Sequence, residues 1–339
     1  MQHRMGEGDL LDAQGRLIKP GWATAEVRRY DRKAIRASGW RIKEWDYYCI
    51  ATDSHALALT VADNGYLGFL GLSWMDLVAG TAVNHGAVIP FPFGQMGLPH
   101  SVDSGDIAQR HGGVELAFRV EQGARLLSFA APAFDKGAGL SGQLRLEQPG
   151  DDRMVIATPF ANAPRAFYYN QKINCMPASG EVVLSGRHIA FQPDSAFAVL
   201  DWGRGVWTYD NTWYWASASG LLGERRFGFN LGYGFGDNSA ASENMLFLDG
   251  RAHKLDRVTF HMPEGRPDSA PWQITSNDGR LNMRFDPIVD RHDKVDLALF
   301  RTAQHQVFGG FSGRAIADDS QVLEFTGLTG FAEKVHNRW

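Results

Sequence analysis

The chain has 339 residues, 44% of them hydrophobic and 21% charged, with a formal net charge of −4. A slightly acidic balance without a basic stripe or an RNA-binding aromatic motif argues against nucleic acid as a partner. The length exceeds what one hydrophobic core commonly fills, so two domains are expected, and 38 glycines with 21 Phe, 10 Trp and 9 Tyr favour sheet over helix.

The N-terminal segment MQHRMGEGDLLDAQGRLIKPGW lacks the apolar stretch of a signal peptide, and no run long enough to span a membrane occurs later. A soluble, cytoplasmic protein is therefore expected. Residues 24–38, TAEVRRYDRKAIRAS, read as one short helix or an extended arm. From about residue 45 the pattern is that of strands. HALALTVA and YLGFLGLSW meet across Asn64-Gly65, and VELAFRVE and ARLLSFAA across Gln122-Gly123, both suited to hairpin turns. Pro159 and Pro164 of TPFANAPRAF mark the expected division near residue 165, giving domains 1–165 and 166–339. Further on, MLFLD and AHKLDRVTF flank a three-residue loop at Asp249-Gly250-Arg251, and RLNMRF, VDLALF, HQVFGGF and VLEFTGL complete the series. Roughly eighteen strands are too many for one open sheet, which predicts an all-β fold of two barrels or sandwiches. Cys49 and Cys175, far apart in strand-like contexts, read as buried free thiols.

The densest chemistry lies between Asp201 and Asp237. In FGFNLGYGFGD, strand alternation puts Phe227, Phe229, Leu231, Tyr233 and Phe235 on one side and Gly228, Asn230, Gly232 and Gly234 on the other. A face emptied of side chains, with Asn230 in it, predicts a cavity, and Tyr233 joins Asn230 as a candidate ligand contact. Trp202, Trp213 and Trp215 offer apolar faces with a polar tip, suited either to core packing or to a pocket wall. In FYYNQKINCMPASG one face carries Tyr168, Asn170, Lys172 and Asn174, too polar for a dry core; it lines an interdomain cleft or forms an amide network between domains.

Asp201 and Arg204, close together in VLDWGRG, could orient a ligand or form a structural ion pair that closes a barrel end. Asp237 and Glu243 flank the polar turn after the glycine face and could act as acid and base if their surroundings separate their pKa values; Asp237 with Asn238 also suits a plain turn. His305, in QHQVFG, is a candidate proton carrier because histidine titrates near neutrality. Asp290-Arg291-His292-Asp293 is rich in ligand atoms but is expected in a solvated loop. With no HExxH, phosphate loop, nucleophile elbow or dinucleotide fingerprint, no metal and no organic cofactor are expected.

The blocks KEWDYYCI, FYYNQKINCMPASG, VLDWGRGVWTYDNTWYWASASG, GFNLGYGFGDNSAASENMLFLDGRAHKLD, QHQVFGGFSG and GFAEKVHNRW resemble the domain of unknown function 2804 family over nearly the whole chain. That family in turn resembles, remotely, two-domain lipocalin-like proteins that include carotenoid 1,2-hydratases and fungal cyclases of the Diels-Alder type. The resemblance implies two lipocalin-like domains with few short helices and, more weakly, a hydrophobic substrate. No hydratase catalytic residue is carried over to this chain from that resemblance. The expected function is to bind a hydrophobic or amphipathic small molecule in a barrel or interdomain pocket, with acid-base hydration, isomerisation or cyclisation as the expected chemistry. The alternatives are a non-catalytic carrier or sensor, and a structural protein whose aromatic blocks are all core.

Overall fold

The computed structural model describes residues 2–297 and 300–338, so Ala298 and Leu299 of the VDLALF run, and Trp339, lie outside the described residues. The alternating runs are strands, and they assemble into two large antiparallel sheets.

The path of the first sheet runs Thr81–Pro90, Leu67–Asp76, His55–Asp63, Ile42–Ala51, Phe197–Val206, Ala163–Leu184, Leu140–Glu147, Ala124–Ala131, Val114–Glu121 and Ile107–His111. Its joint is the 22-residue strand Ala163–Leu184. The first half pairs with Met154–Phe160 and Phe197–Val206, the second with Leu140–Glu147 and Arg187–Phe191. A register shift between Ile173 and Met176 separates the halves, and irregularities of this kind let one strand bend from one sheet direction into another. At the far end Gly112 packs against Ala87 of the first strand on the path, and the sheet closes almost completely into a barrel. Its interior holds Tyr48, Leu59, Phe118, Phe129, Tyr169 and Trp202.

The second sheet orders Arg251–Lys254, Met245–Leu248, Arg225–Tyr233, Asp210–Leu222, Val322–Arg338, Phe300–Ile316, Leu281–Leu297, Trp272–Ser276 and Val258–His261. It forms a half-barrel around Phe227, Phe229, Trp272, Phe285, Phe311 and Phe325. Where the sheets meet, alternation leaves a second buried face on each. Tyr48 points into the first barrel while Tyr47 points out of it; Ala216 belongs to the half-barrel core while Trp215 does not. These outward residues meet in a third apolar cluster, Tyr47, Cys49, Val199, Trp215, Phe308 and Phe331, where the sheets pack together.

Four local expectations change. The sheets divide between Val206 and Asp210 rather than near residue 165, because Phe197–Val206 pairs with both Ile42–Ala51 and Ala163–Leu184 and so sits in the middle of the first sheet. Pro159 and Pro164 flank a tight hairpin, not a linker. Asp249-Gly250 is a two-residue turn, with φ of 49° and 81°, since Arg251 already pairs with Leu248; left-handed φ at both central residues is what such a turn requires. Asp290–Asp293 is strand rather than loop. Residues 24–38 form the arm, with Arg28–Arg29 beside Gly8–Asp9 and a single 3-10 turn at Arg32–Ala34 capped by Asp31. Among the described residues no helix is long and apolar enough to cross a membrane.

Candidate functional site

Register builds the site. Across the first sheet Lys172, Asp201, Tyr47, Thr60, Gly71 and Gly86 are successive partners. Across the second the row is Gly232, Trp215, Glu333, Gln306 and Arg291. Partners in register project to the same side of a sheet, and the two rows face one another. All of these residues except Gly232 line a cavity of about 410 Å³ between the sheets.

One end of the cavity is aromatic. Phe235 is its hub, with ring centroids 4.6 Å from Trp207, 4.8 Å from Tyr168 and 5.2 Å from Trp213. Trp45 lies edge-on to Trp207 at 5.2 Å and flat over the Phe197–Val206 strand. A Cβ at Gly203 would sit 1.9 Å from the Trp45 ring, so only glycine permits this wall.

The other part is polar. Lys172 Nζ is 2.7 Å from Asp201 Oδ2, Asn170 Nδ2 donates to Asp201 Oδ1 at 2.6 Å, and the ammonium stands 3.9 Å from the centre of the Trp215 ring. The Trp213 indole N–H donates to Glu333 Oε1 at 2.9 Å, and Gln306 Nε2 donates to Glu333 Oε2 at 3.2 Å. Gln306 Oε1 in turn accepts from Tyr47 Oη at 3.1 Å and from Arg291 at 2.7 Å. Burial pushes the Glu333 carboxyl up to about 7, against the opposing pull of the Trp213 hydrogen bond and the Lys172 charge. Burial also raises Glu243, which hydrogen-bonds Tyr168, and Lys172 again opposes the shift. Two carboxyls with suppressed ionisation thus share a cavity with a buried ammonium–carboxylate pair. Such a set can hold, donate or accept a proton near neutral pH.

The expected site residues separate into two groups. Tyr168, Asp201, Trp213, Trp215 and Glu243 line the cavity, and Asn170 and Asn230 stand directly behind it. Asn230 accepts from the Trp215 indole at 2.7 Å and donates to the Glu243 carbonyl at 2.9 Å, tying wall to loop. The others lie elsewhere. Asp201 and Arg204 are not a pair: an odd spacing along one strand sends them to opposite faces. Arg204 is fully buried on the barrel side, bonded to Asp46 at 2.9 Å and to the carbonyls of Trp45, Pro99 and Gly203. Trp202 is core there, edge-on to Tyr30 and Tyr169.

His305 faces away from its neighbours Gln304 and Gln306, paired with Asp290 at 2.6 Å and stacked on His292. Asn174 bonds Ser217 and the Phe229 carbonyl, joining the sheets outside the cavity. Tyr233 stacks on Tyr214 behind the wall, and Asp237 shapes its own loop by accepting from Ser239 N. The glycine face is not vacant either. A Cβ at Gly228 would meet Cys175 Sγ at 2.6 Å, and one at Gly232 would meet the Glu243 carboxyl at 3.2 Å. Those glycines admit neighbouring protein, and one of the admitted groups is a cavity acid.

The residues not singled out beforehand are Glu333, Gln306, Arg291, Tyr47 and Trp45, with Lys172 noticed only as part of a polar face. A signal for Glu333 existed: Phe331, Glu333 and Val335 share a strand face, and its two apolar neighbours are both buried. An acid in the middle of a buried apolar face is either costly or useful.

These features define a two-sheet, lipocalin-like β protein with a cavity of small-molecule size between its sheets. The chain belongs to the family called domain of unknown function, DUF2804, whose model matches residues 2–339. Its fold is similar to that of CghA, solved with Sch210972, at a TM-score of 0.55 and 12% identity over 98% of this chain and 97% of that one. It is also similar to an AttH candidate from Nitrosomonas europaea, at a TM-score of 0.53 and 13% identity over 93% and 98% of the two chains. Identities this low show a shared fold. No curated protein matches the sequence.

Proposed function

We propose that the cavity binds a hydrophobic or amphipathic small molecule and converts it by proton transfer, as a hydration, isomerisation or cyclisation that needs no organic cofactor. The aromatic end around Phe235 holds the apolar body of the substrate. Lys172 and Asp201 orient its polar group, and Glu333, with Glu243, donates and accepts the proton. The observation that carries this reading is two carboxyls whose pKa burial raises inside one aromatic-walled cavity; Glu333, pushed up to about 7, can serve in either protonation state. The presence of the small molecule Sch210972 with CghA supports it at the level of fold.

Native mass spectrometry on protein taken directly from cells tests the binding step, with a small molecule expected to accompany the folded chain. Turnover of that molecule by wild type and by Glu333→Gln then tests the chemistry. Loss of about 10²-fold or more with retained binding is the expected result, the usual size of general acid-base assistance. A chain that is always empty overturns the proposal. Full turnover by the Gln variant removes Glu333 from the mechanism, and a bound molecule that is never converted favours a carrier.

A further inference from the structure

We propose that the barrel end formed by Trp40, Phe91 and Phe93 docks on an anionic lipid surface. These rings are 52%, 58% and 38% exposed, yet they touch each other. Trp40 lies 6.1 Å from Phe91 and 5.3 Å from Phe93, edge-on to both, and stacks on Tyr66 at 6.0 Å. A contiguous aromatic patch left in solvent marks an interaction surface more often than isolated exposed residues do.

The backbone holds this patch outward against its own preference. Phe91 and Phe93 have φ of 51° and 46°, a region that bulky residues rarely enter. Their N–H groups donate to the carbonyls of Tyr66 at 3.0 Å and Gly65 at 2.9 Å, and Gly94 N–H donates to Asp63 Oδ2 at 2.7 Å. Three hydrogen bonds thus maintain a strained loop whose rings pack on one another and on Trp40 while remaining partly in solvent. Strain kept at a cluster of rings that still faces solvent points to use of the presented surface.

Charge identifies the occupant. In a chain whose net charge is −4, residues 28–43 include four cations already buried or paired, Arg28 and Lys43 inside the protein, Arg29 with Asp9 and Arg32 with Glu44, which leaves Lys33, Arg36 and Arg41 beside the single acid Asp31. Lys33, Arg36 and Arg41 are exposed. The basic segment and the aromatic loop form one surface, since the Phe93 ring packs at Gly39 and the Arg32 guanidinium lies against Gly94. Aromatic rings flanked by cations suit the headgroup level of an anionic bilayer.

The surface is also joined to the cavity. Lys43 Nζ donates to the Trp40 carbonyl at 2.8 Å and to the Asn64 carbonyl at 2.6 Å, and Asn64 lines the cavity. Docking here sets the cavity near the lipid phase, from which an amphipathic molecule could be drawn, but the docking claim does not depend on the proposed chemistry.

Vesicle flotation of the full chain tests it, with phosphatidylcholine vesicles compared against vesicles of equal parts phosphatidylcholine and phosphatidylserine. Flotation is expected with the anionic vesicles alone and is expected to weaken with salt. The triple variant Lys33→Gln, Arg36→Gln, Arg41→Gln should lower partitioning at least about tenfold, given the attraction each cation has for such a surface. Trp40→Ser with Phe91→Gly and Phe93→Gly should do the same while keeping the fold by circular dichroism, because glycine accepts the left-handed φ. Val78→Ser, at a residue 82% exposed on a different hairpin, should change nothing. No flotation, equal flotation with both vesicle types, or full retention by both triple variants overturns the proposal. So does a concentration-dependent mass, lost in the aromatic variant without any flotation, which would mean that a second copy covers the rings.

Discussion

The Lys172 ammonium stands 3.9 Å from the centre of the Trp215 ring while bound 2.7 Å from the Asp201 carboxylate, so one cation of the first sheet is held by a ring of the second. Desolvated cation–π contact is worth about 2 kcal/mol, and here it also sets the distance between the two rows that enclose the cavity. The arrangement makes Lys172 a structural joint and a cavity charge at once.

Removing that cation should be more harmful than removing the pair. Lys172→Met leaves a buried carboxylate with an amide as its remaining close partner, a type of loss that costs about 3–5 kcal/mol. Lys172→Met with Asp201→Asn should recover most of it. Urea unfolding of the three proteins reads both numbers, and a double variant as unstable as the single one would refute the pairing.

Glu333 predicts a pH dependence of stability. Its carboxyl is raised from 4.5 to about 7 in the folded chain, so between those values the folded state binds the proton that the unfolded state has released. Stability from this group is complete below about pH 4.5 and is lost as pH rises through 7, amounting to about 3 kcal/mol for a shift of this size. Glu333→Gln should flatten that slope. Melting curves collected from about pH 4 to 9 span that window and check it; an unchanged slope would place the titrating group elsewhere.

Gly203→Ala should collapse the aromatic end. The new methyl group would overlap the Trp45 ring, and overpacking of this kind costs about 1–3 kcal/mol when the neighbour must move. A shift in tryptophan emission with loss of the bound molecule is expected, while Gly150→Ala, at a glycine with open space around it and no left-handed φ, should leave the emission as it was.

Glu243 and His305 should behave oppositely. Glu243 lines the cavity and His305 points out of it toward Asp290. Once a substrate is known, Glu243→Gln should reduce turnover by about 10²-fold, and His305→Ala should preserve it. Reversal of those two results would move the reacting centre to the other face of the Phe300–Ile316 strand.

Much of this protein was legible along the chain because strand structure is written locally. Alternation and turn residues located the strands, and the polar face of Tyr168, Asn170, Lys172 and Asn174 read equally as a cleft wall or an amide network; Tyr168 and Lys172 line the cavity, while Asn174 bonds Ser217 outside it. Local pattern also misled: Asp201 and Arg204 look adjacent on paper, yet the pleat turns them to opposite sides, and His305 is turned away from the cavity that Gln304 and Gln306 line. Glycine positions were visible, but whether a ligand or Glu243 filled the space above Gly232 was not. Only the tertiary structure could decide that, along with the pairing of Lys172 with Trp215 and the placing of Glu333 across from Asp201. Strands at the junction such as Phe197–Val206 and Arg225–Tyr233 bury both of their faces, and alternation distinguishes the faces without saying which one meets the other sheet; long-range register and packing supply that choice.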